Sequence, residues 1–152
     1  MSEQAKIQFD RGVLGVEVEV GAFQVSREHV LAFCAAVGET NPLYTDEAAA
    51  AAGPYGGLIA PPAFYSASRV GNGLDPKVVF GNSQIHAAQH CEFYEPVRPG
   101  DTITARAAVH DVYEKTGRSG RMVFVVRRTT YTNQRRETVA VTDNSMVYRN
   151  VE

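Results

Sequence analysis

From residue 85 onward the chain reads as long extended segments separated by tight turns, and this pattern restricts the fold more than any other feature. Residues 85–94 form one candidate strand, ended by the corner Glu95-Pro96-Val97-Arg98-Pro99-Gly100-Asp101. Residues 102–113 form a second, 122–132 a third and 138–149 a fourth. Gly117-Arg118-Ser119-Gly120 and Asn133-Gln134-Arg135-Arg136 supply the turns between them. Connections this short join only antiparallel neighbours, because parallel strands need a crossover of a dozen residues or more. The C-terminal half is therefore predicted to be an antiparallel meander.

The N-terminal half has a different period. Val16-Glu17-Val18-Glu19-Val20 alternates as a half-buried strand. Ser26 then reads as an N-cap, Glu28 suits the positive first turn, and Gly38 is a natural stop, which bounds a helix over 27–37. Asp46 caps a second short helix over 48–52, closed by Gly53-Pro54. A third helix over 62–70 is expected to start at Pro62, where a missing N–H costs nothing. Residues 71–83 form a polar, glycine-bearing loop, a candidate lid. One strand, then helices, then a run of antiparallel strands gives an α+β plan.

Length and composition narrow the function. At 152 residues the chain is expected to be a single domain, 1–152. Formal net charge of −2 and a pI near 6.1 provide no global field for nucleic acid or an anionic membrane. Met1-Ser2-Glu3-Gln4-Ala5-Lys6 carries no apolar signal-peptide run, and no stretch approaches the roughly 20 apolar residues of a membrane span. Cys34 and Cys91 lack metal or redox spacing, so the expectation is a cytoplasmic protein with reduced thiols and neither metal nor cofactor.

Three segments carry a resemblance. Gly38-Glu39-Thr40-Asn41-Pro42-Leu43-Tyr44 is similar to the Gly-Asp-x-Asn-Pro-aliphatic-His motif of the MaoC-like hot-dog hydratases and dehydratases. Gly56-Gly57-Leu58-Ile59-Ala60-Pro61-Pro62-Ala63-Phe64 resembles their loop into the central helix, and 89–101 resembles their strand and Pro-x-x-x-Gly-Asp corner. The resemblance spans most of the chain and implies a hot-dog fold, an antiparallel sheet wrapped around a central helix and dimerising through the sheet. The Gly-Glu-Thr-Asn-Pro-x-Tyr and Ala-Pro-Pro variants resemble the N-terminal-type branch, which includes the substrate-holding subunits of (3R)-hydroxyacyl-thioester dehydratase heterodimers. It implies an acyl-CoA or acyl-carrier-protein thioester as ligand. It also implies a homodimer, or a heterodimer with a chain bearing the intact Asp/His pair.

The resemblance assigns Glu39, Asn41 and Tyr44 to the catalytic positions. It assigns Gly56, Gly57, Ala60, Pro61, Pro62, Ala63 and Phe64 to the substrate-binding ones. Hydration of an enoyl thioester needs two proton transfers on one face and N–H donors for the enolate oxygen. Glu39 suits one transfer. Tyr44, a phenol titrating near 10, is a poor base at neutral pH. Three readings follow: a substrate-holding subunit whose partner supplies the Asp/His pair; a self-sufficient hydratase using Glu39 with Tyr44 or His86; and a non-catalytic acyl-CoA-binding or assembly protein. A thioesterase is a weaker fourth.

Each candidate also has a plainer explanation. Gly38 to Pro42 suffices as a helix C-cap and turn. Strand alternation places His86, Ala88, His90 and Glu92 on one face and Ile85, Ala87, Gln89, Cys91 and Phe93 on the other, so Gln89 is an amide on the apolar side that needs a partner, a ligand included. Arg118, Arg121, Arg135 and Arg136 either meet phosphates or are solvated hairpin tips. Tyr55, Phe64, Tyr65 and Phe80 either line an acyl tunnel or fill the core.

Overall fold

The computed structural model describes residues 6–152; the N-terminal residues on which the absence of a signal peptide was argued lie largely outside it. Five strands form one antiparallel sheet: β1 (Val18–Gln24), β2 (Ser83–Phe93), β3 (Thr102–Gly117), β4 (Gly120–Thr132) and β5 (Thr138–Arg149), in the order β1-β3-β4-β5-β2. The helices α1 (Arg27–Val37), α2 (Pro42–Thr45) and α3 (Glu47–Ala51) and a 3₁₀ helix (Pro62–Ala67) come between β1 and β2 in the chain. Val30, Cys34, Ala50 and Phe64 of these segments share one core with Ile103, Ala105, Tyr131, Val139 and Ala140 of the sheet. This is the hot-dog arrangement that the resemblance implies; the C-terminal half is a meander only over β3, β4 and β5, because β2 pairs with β5 rather than with β3, its neighbour in the chain.

Helix α1 has the predicted limits. Ser26 Oγ accepts the His29 N–H at 3.1 Å, and Gly38 closes the helix at φ 72°, where a β-carbon would be strained. The Glu39 N–H then donates to the Cys34 carbonyl at 2.9 Å, so the helix end hands the chain directly into the motif segment. Val30 and Cys34, four residues apart, are both fully buried on one face.

The central helix differs from expectation. It is a 3₁₀ helix of six residues rather than a helix over 62–70. Pro61 and Pro62 contribute no N–H, and Ser66 Oγ donates back to the Ala63 carbonyl at 2.7 Å, competing with an α-helical bond there. Beyond it the chain is drawn to β1, where the Gly71 N–H donates to the Val20 carbonyl at 2.9 Å.

The segment read as a lid is also tied down. Arg127 Nη1 donates to the carbonyls of Asn72 and Leu74, both at 2.7 Å, and the Val79 N–H donates to the Gln8 carbonyl at 2.9 Å. Strand β3 runs four residues past its predicted end. Glu114 there pairs with Arg121 across the hairpin, and the Lys115 ammonium lies 5.2 Å from the Tyr113 ring centre.

The sheet has two edges. The chain at Gly71 covers part of β1. Strand β2 is paired only with β5 among the described residues, and most of its eleven residues are exposed.

Candidate functional site

A cavity of about 280 Å³ opens where the motif segment, the 3₁₀ helix and the inner face of the sheet converge. Tyr44 and Tyr55 form one wall, and Ile59, Ala60, Pro61 and Pro62 continue it. Phe64, Tyr65 and Tyr131 and residues 93–97 also line the cavity. The wall segment is fixed by backbone hydrogen bonds: the Ala60 N–H donates to the Val97 carbonyl at 2.7 Å and the Ile59 N–H to the Leu43 carbonyl at 3.3 Å. Arg98 Nη1 donates to the Tyr55 carbonyl at 2.7 Å, so the Pro-x-x-x-Gly-Asp corner positions this wall too.

The motif residues divide. Glu39 Oε1 accepts from the N–H groups of Thr40, at 2.9 Å, and Asn41, at 2.8 Å. The carboxylate is thus folded onto its own turn and is absent from the cavity lining. Asn41 Oδ1 accepts the Leu43 N–H at 3.0 Å and caps α2, a single turn that begins at Pro42 and was read from the sequence only as a turn. Tyr44 alone of the three lines the cavity. Burial, with the nearby Glu39, Tyr55 and Cys34, pushes its phenol above the ordinary tyrosine value. It therefore remains a proton donor across the physiological range.

Of the residues expected to hold substrate, Ala60, Pro61, Pro62 and Phe64 line the cavity; Gly56, Gly57, Ala63 and Gln89 do not. Gly56 is explained by its turn, with φ at 65°. Gln89 has the partner its position demanded, since its Nε2 donates to the Tyr65 hydroxyl at 3.1 Å. Tyr55 and Tyr65 line the cavity, but Phe80 lies under Arg121 instead. Tyr131 and Ala140 went unrecognised as lining. They become visible as a pair only through the β4–β5 register, in which they are partners.

His86 does not share a face with His90. A β-bulge between His86 and Ala88 inserts Ala87 as an extra residue and reverses the alternation on one side of it. His86 therefore lies on the face of Gln89, with Nε2 3.4 Å from Asn144 Oδ1, while His90 sits on the opposite face, 3.2 Å from Glu92. His86 is absent from the cavity lining, three residues along β2 from Gln89, whose amide meets the cavity-lining Tyr65. The four arginines do not form one cluster: Arg118 and Arg121 lie at one end of β4 and Arg135 and Arg136 at the other, about 40 Å apart by strand length. Arg121 pairs with Glu114, and Arg135 with Asp101 and Glu137. Among the described residues no group of His, Cys, Asp and Glu is arranged to hold a metal, and no helix is long and apolar enough to cross a membrane.

Comparison with known proteins gives the same fold. The family model described as the FAS1-like dehydratase domain region matches residues 12–142. A UPF0336 protein of Streptomyces avermitilis is 35% identical over 100 residues, which cover 62% of this chain and 67% of that protein. The MaoC-like dehydratase of Rhodospirillum rubrum superposes with a TM-score of 0.69 at 23% identity, covering 91% of this chain and 94% of its own. A chain of the HadBC (3R-hydroxyacyl-ACP dehydratase) complex of Mycobacterium tuberculosis superposes with a TM-score of 0.65 at 26% identity, covering 89% of this chain and 96% of its own.

Proposed function

This chain belongs to the FAS1-like dehydratase-region family, and on that footing we propose that it is one subunit of an (R)-specific enoyl-thioester hydratase or (3R)-hydroxyacyl-thioester dehydratase. As a single domain it holds the acyl-pantetheine arm of a coenzyme A or carrier-protein thioester in the cavity behind Tyr44. A partner hot-dog chain supplies the Asp/His pair.

The observation that carries this reading is the state of the two altered positions. The Glu39 carboxylate is occupied by two N–H groups of its own turn, and the Tyr44 phenol is held in its protonated form. Glu39 lies outside the cavity lining and the phenol keeps its proton, so neither is placed to take a proton from a substrate in the cavity as an Asp/His pair would. What remains suits binding: an aromatic and proline wall for the acyl group, and, between the lining residues Pro62 and Phe64, the Ala63 N–H as donor to the thioester oxygen. The Phe64 N–H is already given to the Pro61 carbonyl at 2.9 Å, so this donor is single. The exposed edge of β2, unpaired among the described residues, offers the partner a strand, and the HadBC neighbour is by its own description a complex. The chemistry is acid–base throughout, calls for no cofactor, and fits a cytoplasmic role in fatty-acid metabolism.

Titration calorimetry with crotonyl-CoA and a longer enoyl-CoA tests the binding half of the proposal. Saturable binding is expected. Tyr44→Ala removes part of the apolar wall and is expected to weaken binding about 10-fold, the equivalent of about 1.4 kcal/mol of lost burial. Absence of binding by either thioester, with the protein folded, would refute the proposal.

A further inference from the structure

One cavity-lining residue, Tyr65, carries its hydroxyl to polar groups just outside the lining that hydration chemistry does not use. The Tyr65 hydroxyl lies 3.0 Å from Cys91 Sγ and accepts from Gln89 Nε2 at 3.1 Å. The Tyr65 ring packs against Tyr131, with centres 5.2 Å apart, and both rings line the cavity. Thr142 stands opposite Cys91 in the β2–β5 ladder and, by alternation, on the same face as the cavity-lining Ala140. Thr142 is 0% exposed, and its Oγ1 makes no hydrogen bond of ordinary geometry, although it lies near enough to the Tyr131 phenol to offset part of the rise that burial causes there. A buried hydroxyl this poorly satisfied gains from a better-placed partner.

We propose that the Tyr65 side of the cavity is a recognition site for an oxygen function, a hydroxyl or carbonyl, carried on the acyl group away from the thioester, with Tyr65 as the hydrogen-bond donor. The inference rests on the thioester-binding reading and adds the substrate class. Its logic is the donor count on the Tyr65 oxygen. Gln89 already donates to that oxygen. If the Cys91 thiol donates too, the phenol proton must point elsewhere, and the cavity is beside it. If instead Tyr65 donates to Cys91, it does so to sulfur, a weak acceptor that a ligand oxygen would displace. In both cases a proton is available to a ligand. Burial and the Cys91 contact push the Tyr65 phenol well above its ordinary value, so the proton is retained. The Thr142 hydroxyl supplies a second contact for the same oxygen, directly or through a water. A plain alkyl chain would make neither contact.

The test uses matched pairs of coenzyme A esters, n-alkanoyl and ω-hydroxyalkanoyl, of four, six and eight carbons, titrated into the protein. At one chain length the hydroxylated ester is expected to bind about 5- to 10-fold more tightly, the gain of one net hydrogen bond. In Tyr65→Phe that ratio should fall to near one. Thr142→Val, which keeps the side-chain shape, should also reduce the ratio without lowering the melting temperature. Equal binding of both members of every pair, or a preference that survives Tyr65→Phe, would overturn the inference and leave the thioester reading standing. Failure of every ester to bind would remove both.

Discussion

Gly81→Ala is expected to destabilise the protein by about 3–5 kcal/mol, lowering its melting temperature by roughly 6–20 °C for a chain of this size. Gly81 adopts φ 75°, and a β-carbon there would lie 2.5 Å from the Arg149 carbonyl oxygen and 2.8 Å from its carbon. These are backbone atoms at the end of β5, so no rotamer change relieves the clash. The Asn82 N–H donates to that same Arg149 oxygen at 3.1 Å, and the Asn82 side chain exchanges two hydrogen bonds of 2.9 Å with Val151. A shift large enough to fit the methyl group would open the start of the β2–β5 ladder. Gly57→Ala is the control: a β-carbon there has nothing within 4 Å, and its φ is not in the left-handed region. It should change stability by no more than about 0.5 kcal/mol. Thermal melts of both variants check the contrast, and equal effects would contradict it.

Asp101→Ala is expected to cost about 2–4 kcal/mol. Asp101 is 3% exposed and accepts from the Arg98 N–H and Gln134 Nε2, each at 2.9 Å, with Arg135 Nη1 at 3.4 Å. Arg135 is half exposed, so its charge contributes little. The cost arises mainly from the part-buried Arg98 N–H, which would lose its acceptor, and from the void left by the buried carboxylate; the exposed Gln134 amide can turn to water. Because Arg98 also holds the Tyr55 carbonyl, the cavity wall should loosen as well, and weaker binding of an enoyl-CoA should accompany the lower melting temperature. Asp101→Asn keeps an acceptor oxygen and should lose about half as much. A melting temperature within about 2 °C of the parent for Asp101→Ala would contradict this account of the corner.

How far the sequence anticipates the fold depends on whether local chemistry or tertiary contact decides each element. Helix α1 is legible because Ser26 and Gly38 are local signals acting through their own backbone. Strand β5 is legible because its turns are. The central helix is not, because Ser66 back-bonding and the pull of β1 on Gly71 outweigh an ordinary helical composition. The end of β3 is missed because Glu114, Lys115 and Thr116 carry no apolar alternation and are held by cross-strand partners instead. The bulge at Ala87 leaves no mark in composition, yet it decides which face His86 takes, and with it the prospects of a His86-based site. The cavity is half legible: Tyr44 and the Ala60-Pro61-Pro62 run are adjacent to recognisable motifs, whereas Tyr131 and Ala140 meet only through strand register. Glu39 is the instructive case. Its identity suggests a catalyst, but its hydrogen bonds belong to a turn.

The most direct test of the central claim is a hydration assay with crotonyl-CoA and a longer enoyl-CoA on the chain purified alone. An Asp/His-type acid–base group contributes about 10²- to 10⁴-fold, so a chain lacking one should give no turnover above the uncatalysed rate under conditions in which calorimetry detects thioester binding. Turnover by the isolated chain that disappears in Glu39→Ala or Tyr44→Phe would contradict the account, because the altered pair would then be a working one and no partner would be needed.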